Sequence, residues 1–113
     1  MKILLILFFS LLLNTSLVSA DEKPGRFFED QPDVTDEHQI HFIYLLPSDG
    51  EDRELDINGS MESILEKVNN TMFEATKANK GSGGVGKKYR YDYRKDGKLD
   101  ITFIRTSKNW KEL

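Results

Sequence analysis

Residues 81–88 read GSGGVGKK, and this run fits two nucleotide-binding patterns. Gly81, Gly83 and Gly86 have the spacing G-x-G-x-x-G, and Lys87 follows Gly86 as in a P-loop, although Lys88 replaces the required Ser or Thr. Both patterns need a helix after the glycines, because the helix amides meet the phosphates. Here the predicted order is helix, glycines, strand. The glycines therefore indicate a connection, and no nucleotide partner is predicted.

The two histidines, His38 and His41, are three residues apart. On a strand this spacing places the two side chains on opposite faces, so the pair is not expected to hold one metal ion. A structural or solvated role is favoured for both. The sequence has no Cys, no H-E-x-x-H motif and no recognisable Ser-His-acid arrangement. We predict no catalytic residue and no cofactor.

An acidic stretch, residues 49–56, contains five carboxylates and raises the possibility of a calcium site. An EF-hand register that starts at Glu54 fails at its twelfth position, where Leu65 stands in place of a bidentate Glu. The alternative is a solvated loop that serves the turn and the start of a helix. The calcium candidates are Asp49, Asp52, Glu54, Asp56 and Asn58.

Three alternating tyrosines, at positions 89, 91 and 93, are surrounded by basic residues and could form a stacking platform for sugars or bases. Packing in a core is favoured, because a hairpin with a three-residue loop, residues 95–97, would set them against apolar residues of a return strand. Gly97 would supply the left-handed position of that loop. The predicted pairs are Tyr93 with Leu99, Tyr91 with Ile101 and Tyr89 with Phe103.

Two further elements complete the predicted domain. Residues 39–46, QIHFIYLL, are rich in β-branched and aromatic residues and predict a strand that is apolar on both faces. A helix is predicted from Ser60 to about Asn79, with Asn58 or Ser60 as its cap. Its apolar residues recur at helical spacing, at Met61, Ile64, Leu65, Val68 and Met72.

The N-terminus predicts a secretory signal with cleavage between Ala20 and Asp21. Lys2 precedes an apolar run, and small residues end it at Val18-Ser19-Ala20. The apolar run is short for a bilayer span of roughly 20 residues, so no stable membrane anchor is predicted. The location is therefore secreted or periplasmic. A net charge of −3 argues against a nucleic-acid partner.

The predicted organisation is a signal peptide (residues 1–20), a polar flexible lead-in (residues 21–38), a small α+β domain (residues 39–108) and a tail (residues 109–113). The fold is a small mixed sheet, in the order strand-helix-strand-strand, with one long amphipathic helix packed on it. One helix covers one sheet face. The other face, with Ile43 and Leu45, is expected to stay exposed or to meet a partner or a missing C-terminal segment.

Two stretches, IHFIYLLPSDGEDRELDINGSMESI and KYRYDYRKDGKLDITFIRTSK, resemble the N-terminal portion of secreted bacterial zincin-like proteins, which are related to metallopeptidases. The resemblance covers about residues 39–108. It implies a scaffold that forms one wall of a cleft, whereas the zinc-binding H-E-x-x-H helix of such proteins, which follows later in their chains, has no counterpart here. We therefore expect a non-catalytic, truncated or degenerate scaffold. The alternative is a complete small binding module of unknown ligand.

Overall fold

A computed structural model of the chain describes residues 20–113, so the predicted signal segment lies outside the described residues except for Ala20. Strand β1 spans Phe42–Leu46, helix α1 spans Ser60–Ala78, a single 3-10 turn spans Lys80–Ser82, and strand β2 spans Ile101–Arg105. The predicted α+β class is thereby confirmed. Within residues 20–113, no helix is both long enough and apolar enough to cross a bilayer.

The two strands form a parallel sheet. Phe42 pairs with Ile101 and Leu46 pairs with Arg105. Parallel strands need a crossover connection, and here the crossover contains α1. The predicted hairpin pairs of Ile101 with Tyr91 and of Phe103 with Tyr89 are therefore wrong: Ile101 pairs with Phe42 and Phe103 pairs with Tyr44 of β1.

The predicted strand at residues 89–93 is not a continuous element. Tyr91 makes an isolated parallel bridge with Ile40, and Tyr93 makes an isolated antiparallel bridge with Leu99. These bridges go to different partners, so no ladder forms. The Tyr93–Leu99 pairing and the left-handed conformation of Gly97 (φ 85°) were both predicted correctly.

The core lies between the sheet and α1. Its members are aromatic and aliphatic side chains, and Tyr44 and Phe103 meet edge to face at 5.7 Å between ring centroids. Met61 and Leu65 of α1 pack against this core, whereas Ile64 and Val68 are exposed, so the helix buries less of its apolar stripe than the spacing predicted. The buried core residues are Tyr44, Leu46, Tyr91, Leu99, Ile101 and Phe103.

The helix begins and ends close to the predicted residues, but the predicted caps are wrong: Gly59 is the N-cap, without a side-chain cap hydrogen bond, and Ser60 is the first helical residue. The side chain of Asn58 accepts a hydrogen bond from the Ser60 amide at 2.9 Å. The helix ends at Ala78, and the side chain of Asn79 then accepts from the Gly81 amide at 2.8 Å. Polar side chains thus bind backbone amides on both sides of the helix.

Asn69 holds the chain that follows the glycines. It is buried on α1, and its side-chain amide donates to the Tyr89 carbonyl at 2.9 Å and accepts from the Tyr89 amide at 2.7 Å. An asparagine side chain therefore supplies the donor and the acceptor that a neighbouring strand would supply. These two hydrogen bonds explain how the backbone at Tyr89 is fixed in place without a β-ladder.

The segment predicted as a flexible lead-in makes specific contacts with the domain. Phe27 makes an isolated parallel β-bridge with Thr102 of β2, and the Phe27 carbonyl accepts a hydrogen bond from the Phe103 amide at 2.9 Å. Phe28 packs edge to face on Phe103 at 5.7 Å. Part of the lead-in is therefore packed on the sheet, although its composition is polar.

Candidate functional site

The face of the sheet opposite α1 carries the candidate site. Side chains alternate along a strand, and paired residues point to the same side. Because Phe42 pairs with Ile101, the outward residues of the first strand segment, His41, Ile43 and Leu45, share a face with those of the second. We call this surface the outer sheet face, and its members are His41, Ile43, Leu45, Asp100, Thr102 and Ile104.

Three carboxylates surround His41 at one end of the outer sheet face. The Nδ1 atom of His41 lies 2.8 Å from Oδ2 of Asp92, 3.6 Å from Oδ1 of Asp30 and 4.0 Å from Oδ2 of Asp100. One ligand atom from each of the four residues lies within 4.8 Å of all the others. We call these four residues the His41 cluster.

Two members of the His41 cluster are inaccessible to solvent. Asp92 is 2% exposed and Asp100 is 0% exposed, yet Oδ1 of each has no hydrogen-bond partner among residues 20–113. Burial raises the pKa of Asp100, and the Asp30 and Asp92 carboxyls raise it further. A bond from the Gln31 amide and the nearby His41 act in the opposite direction. The Oδ1 atoms of Asp92 and Asp100 are therefore buried acceptors that are free to bind a donor or a cation.

The second ring nitrogen of His41 is fixed by the sheet. Its Nε2 atom lies 2.7 Å from Oγ1 of Thr102. A hydroxyl both donates and accepts, so this contact is compatible with either tautomer. It nonetheless fixes the ring so that Nδ1 faces the carboxylates. Chemically, the arrangement can hold a cation or share protons between an imidazole and carboxyls.

The rest of the outer sheet face is apolar and accessible. Ile43 is 52% exposed and Leu45 is 50% exposed, and Ile104 beside them is also exposed. The expectation that Ile43 and Leu45 lie on an uncovered face is therefore met in residues 20–113. A polar cluster and an apolar strip thus lie end to end on one surface.

The five calcium candidates bind groups of the protein itself. Asp52 and Asp56 both bind the guanidinium of Arg26, at distances between 2.7 and 3.0 Å. Glu54 pairs with Lys23 at 3.0 Å. The remaining two bind backbone: Asp49 accepts from the Trp110 amide, and Asn58 accepts from the Ser60 amide.

Arg26 is the residue that organises the acidic loop. Its side chain is 0% exposed and its guanidinium lies 4.0 Å from the centroid of the Phe103 ring. Burial lowers the pKa of Arg26, but the hydrogen bonds that it donates to Asp52 and Asp56 outweigh burial and raise the pKa above its ordinary value. Hydrogen bonds from Arg26 hold the pKa of Asp52 well below its usual range. Arg26, together with Lys23 at 3.3 Å from Oδ2 of Asp52, thus supplies the positive charge that faces the two carboxylates.

The glycine segment leaves α1 and enters extended chain, as its flanking sequence predicted. Gly83 and Gly84 have positive φ angles, and a Cβ on Gly86 would lie 2.4 Å from the Phe73 ring. Gly86 is therefore needed for close packing on the helix. The close contact with Phe73 therefore explains the glycine at position 86 without a bound phosphate.

His38 is exposed and lies outside the His41 cluster, in agreement with the expectation that the two histidines do not act together. The tyrosines divide: Tyr91 is buried in the core, whereas Tyr89 and Tyr93 are exposed. The expectation that all three are core residues is therefore wrong. The reason is that β2 pairs with β1, which leaves Tyr89 without the predicted partner.

Sequence reasoning missed Arg26, Asp30, Asp92 and Asp100. The available signal was local: Asp92 lies between two tyrosines and Asp100 between Leu99 and Ile101, so each is a charge inside an apolar pattern. Such a residue must be paired when buried. The partners, however, are distant in the chain and follow from the parallel pairing.

The fold and this surface define a small α+β domain with a partly buried histidine–aspartate cluster. Comparison of the chain with protein-family models, with curated proteins and with solved structures finds no match in any of the three.

Proposed function

We propose that this chain is a secreted or periplasmic, non-catalytic scaffold domain, similar to the N-terminal half of a zinc metallopeptidase, that binds a further polypeptide layer through its outer sheet face. The observation that carries the proposal is the exposure of Ile43 and Leu45, each about half accessible, beside the exposed Ile104. A sheet normally buries its apolar face against another layer. Contiguous exposed apolar residues commonly mark an interaction site.

The sheet edge supports the same proposal. We propose that residues 89–93, although they form no continuous ladder, occupy the place of a third strand in a mixed sheet. The isolated bridges from Tyr91 to Ile40 and from Tyr93 to Leu99 are consistent with this arrangement. An additional layer on the outer sheet face would pack against β1 and β2 together. The required partner surface is apolar, because the strip that it covers is apolar.

The experiment is site-specific photocrosslinking in the host that secretes the protein. A photoreactive phenylalanine analogue replaces Ile43, and a matched variant carries it at Glu66, on the exposed polar side of α1. We expect one discrete crosslinked product at position 43 and none at position 66. Addition of Leu45→Asp should remove the product. Equal labelling at both positions, or no product at position 43, would contradict the proposal.

The non-catalytic part of the proposal has its own test. The chain has no H-E-x-x-H motif, so the purified protein with added Zn²⁺ should not cleave casein or a quenched peptide library above the level of a buffer control. Zinc-dependent cleavage that co-purifies with the chain would refute this part. The crosslinking result would be unaffected by that outcome.

A second candidate, a small binding module for an apolar ligand, is favoured by a different surface. A groove of about 500 Å³ runs along α1 and is lined by Ile64, Val68, Met72 and Tyr89, among others. Titration with a fluorescent apolar probe should show saturable binding that Val68→Asp abolishes and that Ile43→Asp leaves unchanged. Non-saturable fluorescence in both variants would exclude this candidate.

A further inference from the structure

We propose that the His41 cluster, formed by Asp30, His41, Asp92 and Asp100, is a binding site for a divalent first-row metal ion, with Zn²⁺ as its best-fitting occupant. The cluster offers one nitrogen and three carboxylate oxygens, mutually within 4.8 Å. The proposal is independent of the scaffold function, because it concerns the polar end of the outer sheet face and not its apolar strip.

Charge is the first argument. Asp92 and Asp100 are buried, and in residues 20–113 neither forms an ion pair with a lysine or an arginine; the basic side chain beside them is the imidazole of His41. Buried carboxylates need a counter-charge or a proton. Each of the two also has an unpartnered Oδ1 atom. A divalent cation would supply the charge and occupy free lone pairs at once.

Geometry is the second argument. Donor atoms around a tetrahedral Zn²⁺ with bonds of about 2.0–2.2 Å lie roughly 3.3–3.6 Å apart. The distances from Nδ1 of His41 to the carboxylate oxygens, 2.8, 3.6 and 4.0 Å, bracket this range. The distances from Nδ1 therefore need to change by only several tenths of an ångström to match a tetrahedral site.

Donor chemistry selects the ion. Imidazole nitrogen with carboxylate oxygen suits Zn²⁺ and its neighbours in the first transition row, whereas Ca²⁺ takes six to eight oxygen ligands and Mg²⁺ prefers octahedral oxygen coordination. If each of the three carboxylates gives one oxygen, Ca²⁺ would need at least three further oxygen ligands, and an imidazole nitrogen is not among its usual ligands. The acidic loop at residues 49–56 is a separate place, where Arg26 binds the carboxylates.

The surroundings of the ligands are those of a supported site. With Nδ1 of His41 on the metal, Nε2–H would donate to Oγ1 of Thr102, which lies 2.7 Å away. The Gln31 amide donates to Oδ2 of Asp100 at 2.9 Å and orients that carboxylate. Such outer contacts fix the tautomer and the direction of metal ligands. The Asp30 side chain is 64% exposed, which gives an ion an entry path.

The test uses the full-length protein, stripped with a chelator and then titrated with ZnCl₂ by isothermal calorimetry, with bound zinc counted by elemental analysis. We expect one Zn²⁺ per chain. At a hundredfold excess over Kd, the unfolding midpoint should rise by roughly 10 °C or more. Co²⁺ in place of Zn²⁺ should give visible absorption bands of tetrahedral nitrogen and oxygen coordination.

Two pairs of variants separate a built site from adventitious binding. Asp30→Asn removes an exposed ligand and should fold normally, so its affinity should fall at least tenfold; Asp33→Asn makes the same charge change nearby and should bind as wild type. His41→Gln should abolish the cobalt bands, whereas His38→Gln should keep them.

Three results would overturn the proposal: no Zn²⁺ binding at millimolar concentration, equal weakening by Asp30→Asn and Asp33→Asn, or cobalt bands that persist in His41→Gln. If His41→Gln fails to fold, the Asp30 pair alone decides.

Discussion

Replacement of Arg26 by Met should strongly destabilise the domain. All five N–H groups of the guanidinium are used: two bonds go to Asp52, two to Asp56 and one to the Asp21 carbonyl. Met retains contact with the Phe103 ring but removes the charge. The perturbation therefore isolates the ion-pair network from apolar packing.

The magnitude follows from what the substitution leaves behind. The Asp56 side chain is 2% exposed and would be left buried without a counter-charge, whereas Asp52, which is 12% exposed, would keep only Lys23, at 3.3 Å. Removal of one partner from a buried ion pair costs about 3–5 kcal/mol. A domain of about 90 residues has a total stability of roughly 5–14 kcal/mol. At 4–8 °C per kcal/mol, the midpoint should fall by roughly 12–40 °C.

Thermal and urea unfolding, followed by circular dichroism, measure this change. Arg53→Met is the matched control, because Arg53 is exposed and its loss should change stability by less than about 0.5 kcal/mol. Combining Arg26→Met with Asp52→Asn and Asp56→Asn should recover part of the loss, since no charge is then left unpaired. The reasoning is refuted if Arg26→Met unfolds within about 1 kcal/mol of wild type, or if the triple variant is less stable than Arg26→Met.

Three further predictions concern other parts of the fold. The free energy of unfolding should decrease as the pH falls below about 4, because the pKa of Asp52 is lower in the folded than in the unfolded state and protonation breaks its ion pair. Acid unfolding of the wild type and of Asp52→Asn measures this effect, and the variant should lack the part of the decrease that comes from Asp52. Gly86→Ala should cost about 1–3 kcal/mol, since its Cβ would overlap the Phe73 ring, and an unchanged urea midpoint would disprove the close packing. Asn69→Leu should cost about 1–3 kcal/mol by leaving the Tyr89 backbone unpaired, and hydrogen exchange at the Tyr89 amide should accelerate.

The local elements were predictable because their signals are short-range. The helix from Ser60 follows from apolar spacing and from Asn58 before it, and the αL position of Gly97 follows from the loop chemistry. Exposure of Ile43 and Leu45 followed from counting layers: one helix covers one face.

The cluster and the sheet pairing were not predictable by the same means. Nothing local distinguishes an antiparallel return of residues 101–105 from a parallel pairing with β1, because both bury Ile101 and Phe103. The His41 cluster depends on that choice, since it is the parallel register that places Asp100 beside His41. Asp30 comes from a third segment that is distant in the chain, and the composition of that segment indicates only that it is polar.

The anchoring of residues 21–31 determines how the protein can be divided. The Asp21 carboxylate binds Arg105 at 3.0 Å, Arg26 reaches the loop after β1, and the Gln31 amide binds Asp100. A shortened chain that starts at residue 39, where composition alone would place the boundary, would forfeit all three attachments. Removal of the lead-in, residues 21–38, should therefore yield an insoluble or protease-sensitive protein, although it removes few apolar side chains.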